Sequence, residues 1–117
     1  MHIQINSDDN IAGREQLAQD VEAAVSDILG RFSDRITRIE VHLSDKNAGK
    51  SGSNDKRCLM EARPAGRQPI AVTQDADTLA DAYSGAARKL RRLLDSTLGR
   101  ANDHKGADSI RKDGAEV

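Results

Sequence analysis

At 117 residues the chain reads as one domain with room for a real but modest core. Aromatic residues make up 2%, only Phe32 and Tyr83, which excludes stacking platforms of exposed rings and leaves an aliphatic core. The single Cys58 excludes an internal disulfide or a multi-cysteine zinc site, and the net charge of −1 at first sight argues against a nucleic-acid binder.

The charge is, however, segregated. Residues 8 to 34 hold seven acidic and two basic side chains, a net −5. Residues 35 to 68 reach +4 and residues 88 to 112 reach +5. A chain neutral in sum can therefore present a positive surface of several kT on one side. No apolar run approaches the roughly 18 residues that span a bilayer, and no signal-like segment opens the chain. The expected setting is soluble and cytoplasmic.

In chain order, Ile3 and Ile5 alternate with His2, Gln4 and Asn6, a short half-buried strand. From about Gly13, Leu17, Val21, Ala24, Ile28, Leu29 and Phe32 recur at helical spacing, with Gly13 as N-cap and Gln16 three residues on. Ile39, Val41 and Leu43 then alternate with Arg38, Glu40 and His42. A polar, glycine-bearing hairpin loop follows, DKNAGKSGSNDK. RCLMEARP puts Cys58, Met60 and Ala62 on one strand face and Arg57, Leu59, Glu61 and Arg63 on the other. RQPIAVTQ is the last strand, with Pro69 marking an edge or a start. From Thr78 a second helix runs through TLADAYSGAARKLRRLLDSTLGR, opened by the capping-box spacing of Thr78 and Asp81. Leu79, Tyr83, Ala86, Leu90, Leu93, Leu94 and Thr97 form its apolar stripe.

The order β-α-β-β-β-α predicts an α+β fold, a two-layer sandwich. It has a four-stranded mixed sheet with both helices on one face and the other face open to solvent. Residues 1–100 form the domain, and the polar stretch 101–117 is expected to be a disordered tail.

Sites for chemistry are sparse. Gly49, Lys50 and Ser51 suggest a phosphate loop, but Ser44 stands where that motif needs glycine, and a strand rather than a helix should follow. His2, His42 and His104 are too dispersed for a metal. The carboxylate pairs Asp8–Asp9 and Asp75–Asp77 flank helix starts, where capping and dipole effects account for them. Cys58 shares the apolar parity of Met60 and is expected to be buried and inert. These readings give no enzyme, no cofactor, no metal and no small-molecule substrate.

The second helix differs. Arg88, Lys89, Arg91, Arg92 and Arg100 occupy the arc opposite its stripe, with Asp95 alone of opposite sign. Solvated helix faces usually mix signs at three- and four-residue spacing. Four cations in RKLRR repel one another unless an anion relieves them, and the arginine fork suits phosphate.

The element order, the FSDRI turn at Phe32 to Ile36, EVHLS at Glu40 to Ser44, the GRQPIAV strand, and Lys89, Leu90 and Arg92 resemble the ribosome hibernation-promoting factor family. That family includes the ribosome-associated translation inhibitors. The resemblance implies a fold akin to the double-stranded RNA-binding domain and no enzymatic activity. It also implies binding to small-subunit rRNA in the mRNA and tRNA channel, silencing idle ribosomes in stress or stationary phase, with a protein that is monomeric when free. By position, Lys89 and Arg92 match the family's basic second helix. Arg88, Arg91 and Arg100 extend the set along the same arc, and Arg35 and Arg38 extend it into the basic middle segment. The first helix departs from the family, with Asp27 and Ile28 where lysines often stand and Arg31 as its one late cation. Two other readings stay open: a generic duplex-RNA-binding module, and a protein-interaction module with an acidic partner.

Overall fold

The structure, a computed structural model, describes residues 1–8, 13–45 and 55–99. The elements follow in the expected order: β1 (His2–Ser7), α1 (Arg14–Leu29), β2 (Ile36–Asp45), β3 (Lys56–Pro64), β4 (Ile70–Ala76) and α2 (Leu79–Leu94). A 3-10 turn, Gly30–Phe32, prolongs α1, and a π-helical turn, Asp95–Gly99, prolongs α2. The Gly49–Ser51 loop, Arg100 and the 101–117 stretch lie outside the described residues.

The four strands lie in the order β1-β2-β3-β4, with β1 parallel to β2 and the other pairs antiparallel. The helical crossover through α1 allows the parallel pair, while the later strands follow one another as antiparallel neighbours. Register aligns the apolar residues into rows. Ile5, Val41, Met60 and Val72 form one, and Ile3, Ile39, Ala62 and Ile70 the next. A register shift between Ile36 and Arg38 lets Ile36 and Ile39 both be buried although they differ in parity. Pro69 stands just before the edge strand β4, where its missing N–H costs no ladder bond.

Both helices cover this apolar face, α1 with Val21, Val25 and Leu29, and α2 with Ala82, Tyr83, Ala86, Ala87, Leu90 and Leu94. The small residues let α2 lie low on β3 and β4. At Gly85 a Cβ would stand 2.9 Å from Gln74 Cγ, so a larger residue there would have to displace the Gln74 side chain. The helix starts differ. Gly13 begins α1 in the left-handed region at φ 68° with no side-chain cap, whereas Thr78 Oγ1 accepts the Asp81 N–H at 3.1 Å.

The apolar stripe of α2 needs one correction. Leu93 is 43% exposed, while Ala82, Ala87 and Leu98 are buried. The helix is rolled toward α1, so its buried arc is centred away from Leu93. Truncating Leu90, which is fully buried, to Ala is expected to cost about 2–5 kcal/mol, and truncating Leu93 no more than about 0.5 kcal/mol. Urea unfolding midpoints of the two variants check the difference.

Candidate nucleic-acid interface

With its apolar arc on the sheet, α2 must turn its cations outward. Arg88 and Arg92 are exposed, and Arg91 is half-buried on the flank toward α1. Among the described residues no acidic side chain pairs with Arg88, Lys89, Arg91 or Arg92. The acid of this stretch, Asp95, is taken up by an ion pair with Arg31, whose guanidinium also lies 4.9 Å from the Phe32 ring centroid. Arg31 thus removes the charge that would otherwise offset the ridge. Sequence reasoning gave it no such role, because the pairing depends on how the α1 exit packs against the end of α2.

Lys89 lies on the opposite flank. Its Nζ donates to the Thr73 carbonyl of β4 at 2.8 Å, which anchors one of three donor directions and leaves the charge at the sheet edge. The two middle-segment candidates are placed otherwise than the ridge. The half-buried Arg35 donates to the Leu98 carbonyl at 2.9 Å and so holds the end of α2 in place. Arg38 lies on the open sheet face, bonded to Gln4 and 3.1 Å from Glu40. Neither is a free cation beside Arg88 and Arg92, and Arg100 lies outside the described residues.

The open sheet face is mixed rather than basic. Arg57 grips Asp75 through two bonds of 2.8 and 3.2 Å, and Arg63 reaches Glu61 at 3.2 Å. His42 lies 3.5 Å from Glu40. Asp75 is therefore a cross-strand ion-pair partner, not the helix-start carboxylate its sequence position suggests. Asp8 likewise belongs to the sheet, its carboxylate accepting the Asp45 N–H at 3.2 Å.

Charge also segregates along the strands. Asp8, Asp45, buried Asp55 and Asp81 lie at the end where β1 and β2 finish and α2 begins. Lys56 offsets part of that end at 3.0 Å from Asp55, a hydrogen bond that raises its pKa. At the other end lie Arg31, Arg35, Arg63, Arg67, Arg91 and Arg92, outnumbering the acids Asp34 and Asp95 there. Cations in the last turn of α2 also meet the negative pole of its dipole. An extended polyanion thus finds one favourable approach, over the outer face and C-terminal end of α2. Among the described residues no three potential metal-ligating side chains converge, and no helix is long and apolar enough to cross a membrane.

Residues 3–102 match the family described as Sigma 54 modulation protein / S30EA ribosomal protein. No curated protein matches the sequence. Among solved structures, the Thermus thermophilus Protein Y N-terminal domain is similar at a TM-score of 0.65 and 18% identity, over 83% of this chain and 99% of that one. A ribosomal subunit interface protein from Coxiella burnetii is similar at 0.65 and 17%, over 85% and 99%. At these identities the likeness is one of fold.

Beneath this surface Cys58 is fully buried, and burial pushes its thiol up to about 12 from the ordinary 9.0. Iodoacetamide at neutral pH is therefore expected to label Cys58 only when the domain unfolds. The unfolded thiol ionises first, so the native state holds the proton longer. Stability is fully present below about pH 9 and declines as pH rises toward about 12. Unfolding midpoints of wild type and Cys58→Ala compared over that window check the sign, since the decline should be smaller in the variant.

Proposed function

This chain belongs to the Sigma 54 modulation protein / S30EA ribosomal protein family, that of the hibernation-promoting factors, and on that premise we propose that it is a ribosome-associated hibernation factor. It binds the small subunit through rRNA in the channel used by mRNA and tRNA, and it silences idle ribosomes by occupying that channel, without catalysis and without a cofactor. A ribosomal partner places it in the cytoplasm. The observation that carries this reading is the outer face of α2, where Arg88, Lys89, Arg91 and Arg92 stand with no acidic partner among the described residues. The names of the similar structures, one a ribosomal subunit interface protein, point the same way.

Within the ridge, Arg88 and Arg92 are the better phosphate contacts, because both are exposed and neither is bonded internally. Lys89 contributes field while tethered to Thr73. Arg35 and Arg38 support the fold and do not belong to the contact set. Phosphate contacts of this kind give affinity with little sequence preference, so shape selects the ribosomal site.

The test is co-sedimentation with isolated small subunits. Wild type is expected to pellet with them and to be released as salt rises, because binding displaces counterions from rRNA phosphates. The double variant Arg88→Glu, Arg92→Glu should stay in the supernatant while its unfolding midpoint shifts by no more than about 0.5 kcal/mol in stability. A folded double variant that still pellets would rule out α2 as the contact. Equal affinity of wild type for free duplex RNA and for subunits would instead favour a general RNA-binding module.

A further inference from the structure

The β3–β4 turn and the final turn of α2 face each other across a cleft of about 620 Å³, lined by Gly66, Arg67, Gln68, Pro69, Ile70 and Thr97. The cleft is shallow and open to solvent. None of the lining residues is acidic, and the chain carries no acid between Glu61 and Asp75. Both walls are tied to Arg35. Its carbonyl accepts the Ala65 N–H at 2.9 Å, and its guanidinium donates to the Leu98 carbonyl at 2.9 Å. Gly66 closes the turn in the left-handed region at φ 72°, and the Arg67 N–H returns to the Pro64 carbonyl at 3.3 Å. Both walls are therefore fixed relative to one residue, Arg35.

A lone exposed leucine would carry nothing. Leu93 does not line this cleft, but helical spacing puts it on the same flank of α2. Positions 89, 93 and 97 follow one another at four-residue spacing along the β4 flank of the helix. Lys89 is fixed at Thr73, and Thr97 lines the cleft with Ile70. By that spacing the exposed Leu93 falls between them, on the flank that Lys89 ties to β4. An apolar strip of Leu93, Ile70 and Pro69 thus has a cation at each end, Lys89 and Arg67.

We propose that this strip seats an unpaired nucleotide of the bound RNA, with its base against Leu93, Ile70 and Pro69 and the flanking phosphates at Lys89 and Arg67. The proposal rests on the RNA-binding reading of α2 and adds a single-stranded component to it. Unstacked bases offer flat, weakly polar faces, and a protein without exposed aromatic rings can cover them only with aliphatic side chains, proline or a guanidinium plane. Such a contact is available in a loop or strand of RNA and not in a closed duplex. It gives the second helix two functions along its length: an outer arc for duplex phosphate, and a flank for an extruded base.

The test titrates the full chain with a fluorescent oligouridylate and, separately, a blunt RNA duplex. Leu93→Ser, at an exposed position, should unfold at the wild-type midpoint and bind the oligouridylate about tenfold more weakly, with duplex affinity unchanged. Arg67→Gln should reduce the salt dependence of oligouridylate binding by about 0.7 in the log–log slope, as one phosphate contact is lost. Equal weakening toward both RNAs, no weakening toward either, or no oligouridylate binding by wild type would overturn the proposal. If Leu93→Ser loses subunit co-sedimentation while keeping its oligouridylate affinity, the strip meets a ribosomal protein and the proposal is likewise overturned. None of these outcomes touches the ridge reading, which stands or falls on Arg88 and Arg92.

Discussion

The burial of one arc of α2 on β3 and β4 is the constraint from which the surface of this protein follows. Ala82, Ala86, Ala87, Leu90 and Leu94 leave little or no area to water, and Gly85 lets the helix settle against Gln74. With almost no aromatic side chains, the core gains its apolar area from close approach rather than from large rings. Close approach leaves no freedom about which arc faces out. The residues at positions 88 and 92 are exposed because 86, 90 and 94 are not. A basic cluster of this density repels itself, and the apolar contact beneath it holds the cations together. The basic surface is in this sense held under mutual repulsion by the core, and an anion would relieve it.

The structure spends two internal contacts on keeping that surface in shape. Arg31 neutralises Asp95, and Arg35 holds the Leu98 carbonyl at the π-helical turn. A π turn widens the helix and lowers the quality of its own hydrogen bonding, so an outside donor at its end has a clear use. Both arginines come from the short connection between α1 and β2. That connection therefore shapes the basic surface without supplying its exposed cations.

Much of this was legible from the order of residues and some was not. Strand alternation at period two fixes which face is buried, and Ile3, Ile39, Met60 and Ala62 fall where the pattern puts them. The helix stripe was legible only to within the width of its arc. Alanines at 82 and 87 carry little pattern weight, and a helix that packs on both a sheet and a second helix is rolled by the balance of the two, which moved Leu93 outward. The arginines were the least legible. Arg35 meets a carbonyl 63 residues away and Arg38 a side chain 34 residues away, so their bonds exist only once the sheet is assembled. Asp75 and Arg57 become neighbours through antiparallel register, which overrides the local reading of Asp75 as a helix-start acid. Charge counted along the chain singled out α2; which of its cations lack an internal partner required the fold.

The near-zero net charge then has a physical meaning of its own. A uniformly basic domain of this size would adhere to any nucleic acid through phosphate contacts alone. Here the outer face of α1 carries Glu15, Asp20, Glu22 and Asp27, and a further group of acids lies at the end of the sheet where α2 begins. Those charges repel phosphate on two sides and leave the outer face and C-terminal end of α2 as the approach. A duplex docked against α2 brings the phosphates of one side only to this protein and can meet that face without penalty. A channel of RNA surrounds its occupant, and there the acidic surfaces must point along the open axis or toward protein. The charge pattern consequently favours one orientation toward any polyanion.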